Sequence, residues 1–184
     1  MERSHGRPHV RLPGYDYSSC GAYFLTICTL NRECLFGEII GEEMVLNHLG
    51  RIVEEEWRRS EALRQPEMQF GTFGVMPNHL HGIVILSAED EANGGLGQAN
   101  SGLHLRDSKS PRRSRSISSF MAGFKATSTN RINALRGTPG LKVWQDNFYE
   151  HIIRNENSYH RIATYIVDNA LRWAMDQENP ARRP

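Results

Sequence analysis

A chain of 184 residues, 39% hydrophobic and 23% charged, has the composition of an ordinary globular protein and is long enough to bury a core as one domain. The formal net charge of +1 excludes reading a nucleic-acid partner from the total, so the placement of basic residues has to carry that question. Three cysteines, Cys20, Cys28 and Cys34, are odd in number and lack C-x-x-C spacing, which argues against a disulfide framework or a zinc knuckle and for reduced thiols in the cytoplasm.

The N-terminal arm MERSHGRPHVR is locally basic and is not followed by an apolar signal region. No apolar run approaches the roughly 20 residues needed to cross a bilayer, so a cytoplasmic protein without a membrane partner is expected. After the turn-prone LPGYDYSSCG, the aromatic and β-branched AYFLTICTL (Ala22 to Leu30) predicts a strand. CLFGEII is a second short apolar piece. It leads through Gly41 into EEMVLNHLGRIVEEEWRRSEAL, where Val45, Leu49, Ile52, Val53 and Trp57 recur at helical spacing. Pro66 marks the exit. MQFGTFGVM and HLHGIVIL then predict two strands separated by Pro77-Asn78.

From Ser87 to about Arg115 the periodicity disappears in a Gly-, Ser- and charge-rich stretch, read as a mobile surface loop over 87–115 within a single domain spanning 1–184. A helix is predicted over ISSFMAGFKATSTNRINAL, with Ile117, Phe120, Met121, Phe124, Ser128 and Leu135 on one face and a stop at RGTPG. KVWQDNFYEHIIR reads as a short strand and turn. The final helix, NSYHRIATYIVDNALRWAM, places Tyr159, Ile162, Ile166 and Trp173 on its apolar side. The simplest assembly is α+β, in the order βαββαβ, with one antiparallel sheet covered on one face.

The unusual feature lies in GVMPNHLHGIVIL. On a strand, His79 and His81 project from the same face while Leu80, Val84 and Leu86 project from the other. Two such imidazoles either pack and hydrogen-bond for stability or form a platform for a divalent metal, and their position at the mouth of a strand favours the platform. Completed by a neutral or anionic oxygen ligand, waters and a substrate phosphate, such an open site suits Mg²⁺ or Mn²⁺, imidazole tilting the preference to Mn²⁺. On the last helix Tyr165 and Asn169 stand four residues apart, with Arg161 and Arg172 beside the same stripe. Either they flank the apolar stripe without further role, or Asn169 Oδ1 is a third ligand and the Tyr165 phenol a nucleophile that needs cationic or metal help to ionise.

MPNHLHGIVIL followed by YIVDNALRW resembles the single-tyrosine HUH transposases, most closely the REP-associated tyrosine transposase branch. The likeness extends over RLPGYDYSSCGAYFLTICTLNRECLFGEI, GRIVEEEW, SSFMAGFKATSTNRIN and VWQDNFYEHIIRNENS. It implies a ferredoxin-like (RRM-like) antiparallel sheet with helices on one face and a C-terminal helix carrying the catalytic tyrosine. The implied chemistry is metal-dependent cleavage of single-stranded DNA, recognised as a hairpin with flanking single strand, through a covalent 5′-phosphotyrosine. A free 3′-hydroxyl is left to rejoin strands. The resemblance makes His79, His81 and Asn169 the metal ligands and Tyr165 the nucleophile. The family pattern continues Asn-Pro after the tyrosine, whereas here it is Asn169-Ala170, which leaves the helix free to run on.

Lys125 and the basic Arg112, Arg113 and Arg115, with Arg161 and Arg172, are candidate phosphate contacts. Tyr15 and Tyr17 are candidates for stacking on unpaired bases. Tyr149 is the rival nucleophile. A monomer and a homodimer are both compatible with the resemblance. The alternative to an enzyme is a non-catalytic RRM-like module binding single-stranded nucleic acid, which would present aromatics where this chain presents the histidines.

Overall fold

The computed structural model describes residues 20–87 and 116–182. Four strands, β1 (Gly21–Cys28), β4 (Met68–Met76), β5 (His79–Leu86) and β6 (Tyr149–Ile153), form one antiparallel sheet in the order β4-β5-β1-β6. Helices α1 (His48–Arg64) and α2 (Ile117–Arg136) make the two crossovers, giving the expected βαββαβ order and the ferredoxin-like arrangement. A separate two-stranded hairpin, β2 (Gly37–Ile40) and β3 (Glu43–Leu46), precedes α1, and α3 (Glu156–Val167) follows β6.

Strand alternation divides the chemistry between the two sheet faces. Tyr23, Leu25 and Ile27 of β1 and Leu80, Val84 and Leu86 of β5 point to the face covered by α1 and α2, and all six are buried there. Trp57 of α1 is the centre of this core, with the rings of Phe70, Phe73, Phe120 and Phe124 within 5.4–5.7 Å of its own. It lies directly on Gly82, where a Cβ would stand 2.4 Å from the indole, so the close approach of helix to sheet requires glycine at that position. Arg131 of α2 ties the two helices together through Glu56 at 2.8 Å and Glu55 at 2.5 Å.

The second face carries the odd partners of the same strands. Phe24 pairs with Ile83, Thr26 with His81 and Cys28 with His79 across β1 and β5, while Tyr149 of β6 stands opposite Thr26. A sheet covered on one face was the sequence expectation; here α3 lies on this second face as well. Its stripe of Tyr159, Ile162, Ala163 and Ile166 packs on Ala22, Phe24, Ile83, Ile85 and Ile153 in a small core of its own.

Three local expectations are corrected. The helix predicted from Glu42 onward starts only at His48, because Gly41 and Glu42 both have positive φ (56° and 70°) and turn the chain into the β2–β3 hairpin. Val45 is therefore a strand residue, 46% exposed. On α2 the buried face continues through Ile132, and Leu135 is exposed. The last helix ends at Val167, with Asp168 as its cap, so Asn169 and Trp173 lie beyond it even without the family's proline. The stretch 88–115, and with it most of the expected loop, lies outside the described residues.

Candidate active site

β5 begins right after a tight turn, and this places the histidine pair at the end of the central strand, on the α3 side of the sheet. His79 is fully buried and His81 nearly so. Asn78 sets the orientation of His79. Its amide nitrogen donates to the carbonyls of Arg32 (3.0 Å) and Glu178 (2.7 Å), so the oxygen is the atom that faces His79 Nδ1 at 2.9 Å. That oxygen can only accept, and His79 therefore carries its proton on Nδ1 and presents a lone pair at Nε2. Burial holds its imidazole down at about 3, with the Arg32 charge adding to the effect and the Asn169 side chain opposing it, so His79 stays neutral at ordinary pH.

His79 Nε2 meets His81 Nε2 at 3.0 Å, and His81 Nδ1 is held by Thr26 Oγ1 at 2.8 Å. The two rings thus converge through their Nε2 atoms, each anchored at the other nitrogen, as metal-binding imidazoles are oriented by a partner on the far ring nitrogen. Asp176 completes the cluster: its carboxylate and the two imidazoles offer atoms all within 4.8 Å of one another. Asp176 is held in turn by the backbone N–H of Glu178 at 2.6 Å and by Asn169 Nδ2 at 3.0 Å. Glu178 forms an ion pair with Arg32 at 2.5 Å, which closes the C-terminal segment onto the β1–β2 connection.

Tyr165 approaches from the last turn of α3. Its hydroxyl lies 3.3 Å from His81 Nε2, its ring centre is 5.3 Å from that imidazole, and the side chain is 36% exposed toward a cleft of about 580 Å³. Phe24, Thr26, Tyr149, Arg172 and Met175 line the same cleft.

The residues fit a divalent metal ion. The imidazole nitrogens of His79 and His81 and a carboxylate oxygen lie together, and Asn169 Oδ1 is buried with no hydrogen-bond partner among the described residues. An orphaned amide oxygen beside that cluster is a donor waiting for a cation.

The sequence-derived site therefore assembles in part. His79, His81, Tyr165 and Asn169 come together, and Arg172 joins them at the cleft while bonding Asp168 at 3.3 Å. Arg161 bonds Ser158 at 3.3 Å on the exposed side of α3 and is not part of the cleft lining. Lys125 is engaged elsewhere: its ammonium donates to the carbonyls of Gln145, Asp146 and Asn147 at 2.8–3.2 Å, pinning the segment that leads into β6. Burial brings it down to about 8, against the opposing pull of Asp146. Tyr15, Tyr17, Arg112, Arg113 and Arg115 lie outside the described residues. Asp176 and Asn78 were missed in the sequence. Asp176 was hidden because the helical pattern was extended through Met175, and Asn78 because it reads as an ordinary turn residue after proline. An acid a few residues past a helix that carries a tyrosine was the available signal.

Fold and site together define a ferredoxin-like domain with a two-histidine, one-carboxylate cluster beside a tyrosine hydroxyl. No family model matches the chain. It is 41% identical over 175 residues to an uncharacterized protein of Haemophilus influenzae, covering 94% of this chain and 93% of that one, and it belongs to the same family as that protein. Its fold is shared with the structure of a REP-associated tyrosine transposase bound to a REP hairpin, with a TM-score of 0.57 and 21% identity over 89% of this chain and 74% of the other. The fold is thus the one the motif resemblance implies. Among the described residues, no helix is long and apolar enough to cross a membrane.

Proposed function

We propose that this protein is a single-tyrosine transposase, or a domesticated relative of one, that nicks and rejoins single-stranded DNA. The observation that carries this reading is the Tyr165 hydroxyl 3.3 Å from His81, at the edge of the His79–His81–Asp176 cluster. The fold shared with a tyrosine transposase bound to a hairpin supports it and makes hairpin-containing single strands the first substrates to test.

His79 Nε2, His81 Nε2, an Asp176 oxygen and Asn169 Oδ1 would hold the divalent ion, Mg²⁺ or Mn²⁺. When bound, the ion supplies Lewis-acid polarisation of a phosphoryl oxygen and eases ionisation of a nearby phenol. Tyr165 would lose its proton to solvent in the open cleft. The Tyr165 oxygen attacks the scissile phosphorus, the bond to the 3′-oxygen breaks, and that oxygen takes up a proton. The products are a 5′-phosphotyrosine and a 3′-hydroxyl. Attack of a 3′-hydroxyl on the adduct reverses the step and returns the phenol, so strand joining needs no external energy source. Arg172, which lines the cleft, would meet the DNA backbone.

The test is a denaturing gel of the protein with labelled single-stranded hairpin oligonucleotides drawn from the flanks of its own gene, with Mn²⁺ or Mg²⁺. Wild type is expected to give a metal-dependent protein–DNA band that survives detergent, and Tyr165→Phe to lose it while keeping DNA affinity within about twofold, since only one hydroxyl is removed. Survival of the band in Tyr165→Phe would move the nucleophile to Tyr149. Tight binding with no band in wild type would favour the non-catalytic binding module.

A further inference from the structure

The chemistry described above uses Tyr165 and leaves two other rings of the cleft without a role. Phe24 stands on β1, half-buried, and Tyr149 on the neighbouring β6, 38% exposed. Their ring centres are 6.3 Å apart at 71°, and Phe24 is 6.1 Å from the ring of Tyr165 at 83°. The three rings form a short aromatic wall that begins at the nucleophile and runs across the sheet to its β6 edge, with the Met175 thioether also lining the cleft. Among the residues that line this cleft, Arg172 is a cation and Asp176 and Glu178 are acids already engaged by neighbours. Its volume of about 580 Å³ falls within the roughly 300–1,000 Å³ range of sites for small ligands, so it suits a single nucleotide.

We infer that Tyr149, backed by Phe24, is a stacking platform for one unpaired base of the DNA, the base adjoining the phosphate presented to Tyr165. The inference rests on the single-strand reading proposed above and adds a determinant to it: the site takes a nucleotide with a planar base and discriminates against a bare sugar–phosphate strand. The physical basis is that every base has an apolar π-face, which an exposed ring on a sheet surface covers without reading its identity. Tyr149 suits this role because β6 holds its backbone in register with Thr26 while its ring remains open to the cleft. A purely structural Tyr149 would do no more than pack edge-on against Phe24.

Fluorescence anisotropy on two labelled probes of roughly 12 nucleotides separates these roles, one an oligothymidylate and the other an abasic strand with the same phosphates. The full-length protein is compared as wild type, Tyr149→Phe and Tyr149→Leu at one fixed salt concentration. Wild type is expected to bind oligothymidylate more tightly than the abasic strand. Tyr149→Leu should weaken oligothymidylate binding by roughly fivefold to a hundredfold and abasic binding by less than about twofold, and Tyr149→Phe should restore wild-type affinity. Equal weakening of both probes by Tyr149→Leu, or weakening of neither, overturns the platform while leaving the single-strand reading in place. Failure of wild type to bind either probe overturns the platform, and failure to bind the hairpin oligonucleotides as well overturns the single-strand reading with it.

Discussion

Asn78 connects the site by a single amide. Through Oδ1 it sets the tautomer of His79, and through Nδ2 it holds the carbonyls of Arg32 and Glu178, two residues from chain segments more than a hundred positions apart. Asp176 is two residues from Glu178 and bonds its backbone N–H, so the amide fixes both the imidazole on the strand and the segment that carries the carboxylate. Asn78→Asp separates these functions. A carboxylate still accepts the His79 proton but cannot donate to either carbonyl. Mn²⁺ affinity, measured by titration calorimetry, should fall about 10- to 100-fold, with circular dichroism showing the fold retained. Unchanged Mn²⁺ affinity in Asn78→Asp would mean that the C-terminal segment is held in place without this tether. His79 itself has no comparable freedom, since burial keeps it neutral and its proton is already placed.

At the scale of elements, α1 shows how a local signal decides where periodicity becomes structure. Val45 fits the helical stripe of Leu49, Ile52 and Trp57 in the sequence, yet Asn47 caps the helix by accepting from the N–H groups of Leu49 and Gly50 at 2.9 and 3.0 Å. Replacing Asn47 with Ala should lower stability by about 1 kcal/mol, read as a shift in the urea midpoint. Val45→Ala should change it by less than about 0.5 kcal/mol, because nearly half of that residue is exposed on a two-stranded ribbon. A loss of 2 kcal/mol or more at Val45, on the order of a core truncation, would restore the longer helix. The strands that carry the site were legible because their composition and alternation agree, and the histidine pair because two polar groups on one buried face conflict with the rest of that strand. The end of α3 was not legible. Tyr165, Asn169 and Arg172 keep helical spacing, but the chain leaves the helix at Asp168, whose N–H bonds Thr164 and Ile166, and only the turns beyond bring Asp176 back to the histidines. Sequence spacing sets Asn169 near Tyr165, as the fold also does, and gave no view of what the following turns deliver.

Across the whole molecule the sheet separates stability from chemistry. One face carries the large core around Trp57, and the other carries the small cluster of Ile83, Ile153 and Ile166 with the site at its end. Elements held by few apolar contacts open at lower free energy than the global unfolding of a domain. The segment that carries Tyr165, Asn169 and Asp176 is therefore the least strongly packed part of the site, while the histidines sit on its most strongly held strand. A cation bridging the two would bind the closed arrangement and not the opened one, so its binding free energy becomes stability. Mn²⁺ at about 100 times its dissociation constant adds roughly 2.7 kcal/mol in that case. For a chain of this size the midpoint of thermal unfolding should then rise by about 5–10 °C. Asp176→Asn keeps a partner for Asn169 but loses the charge, and should abolish most of that rise while shifting the metal-free midpoint by no more than a few degrees. If Asp176→Asn shows the full Mn²⁺-dependent rise, the carboxylate is not a ligand, and the bridge to the tyrosine segment would run through Asn169 alone.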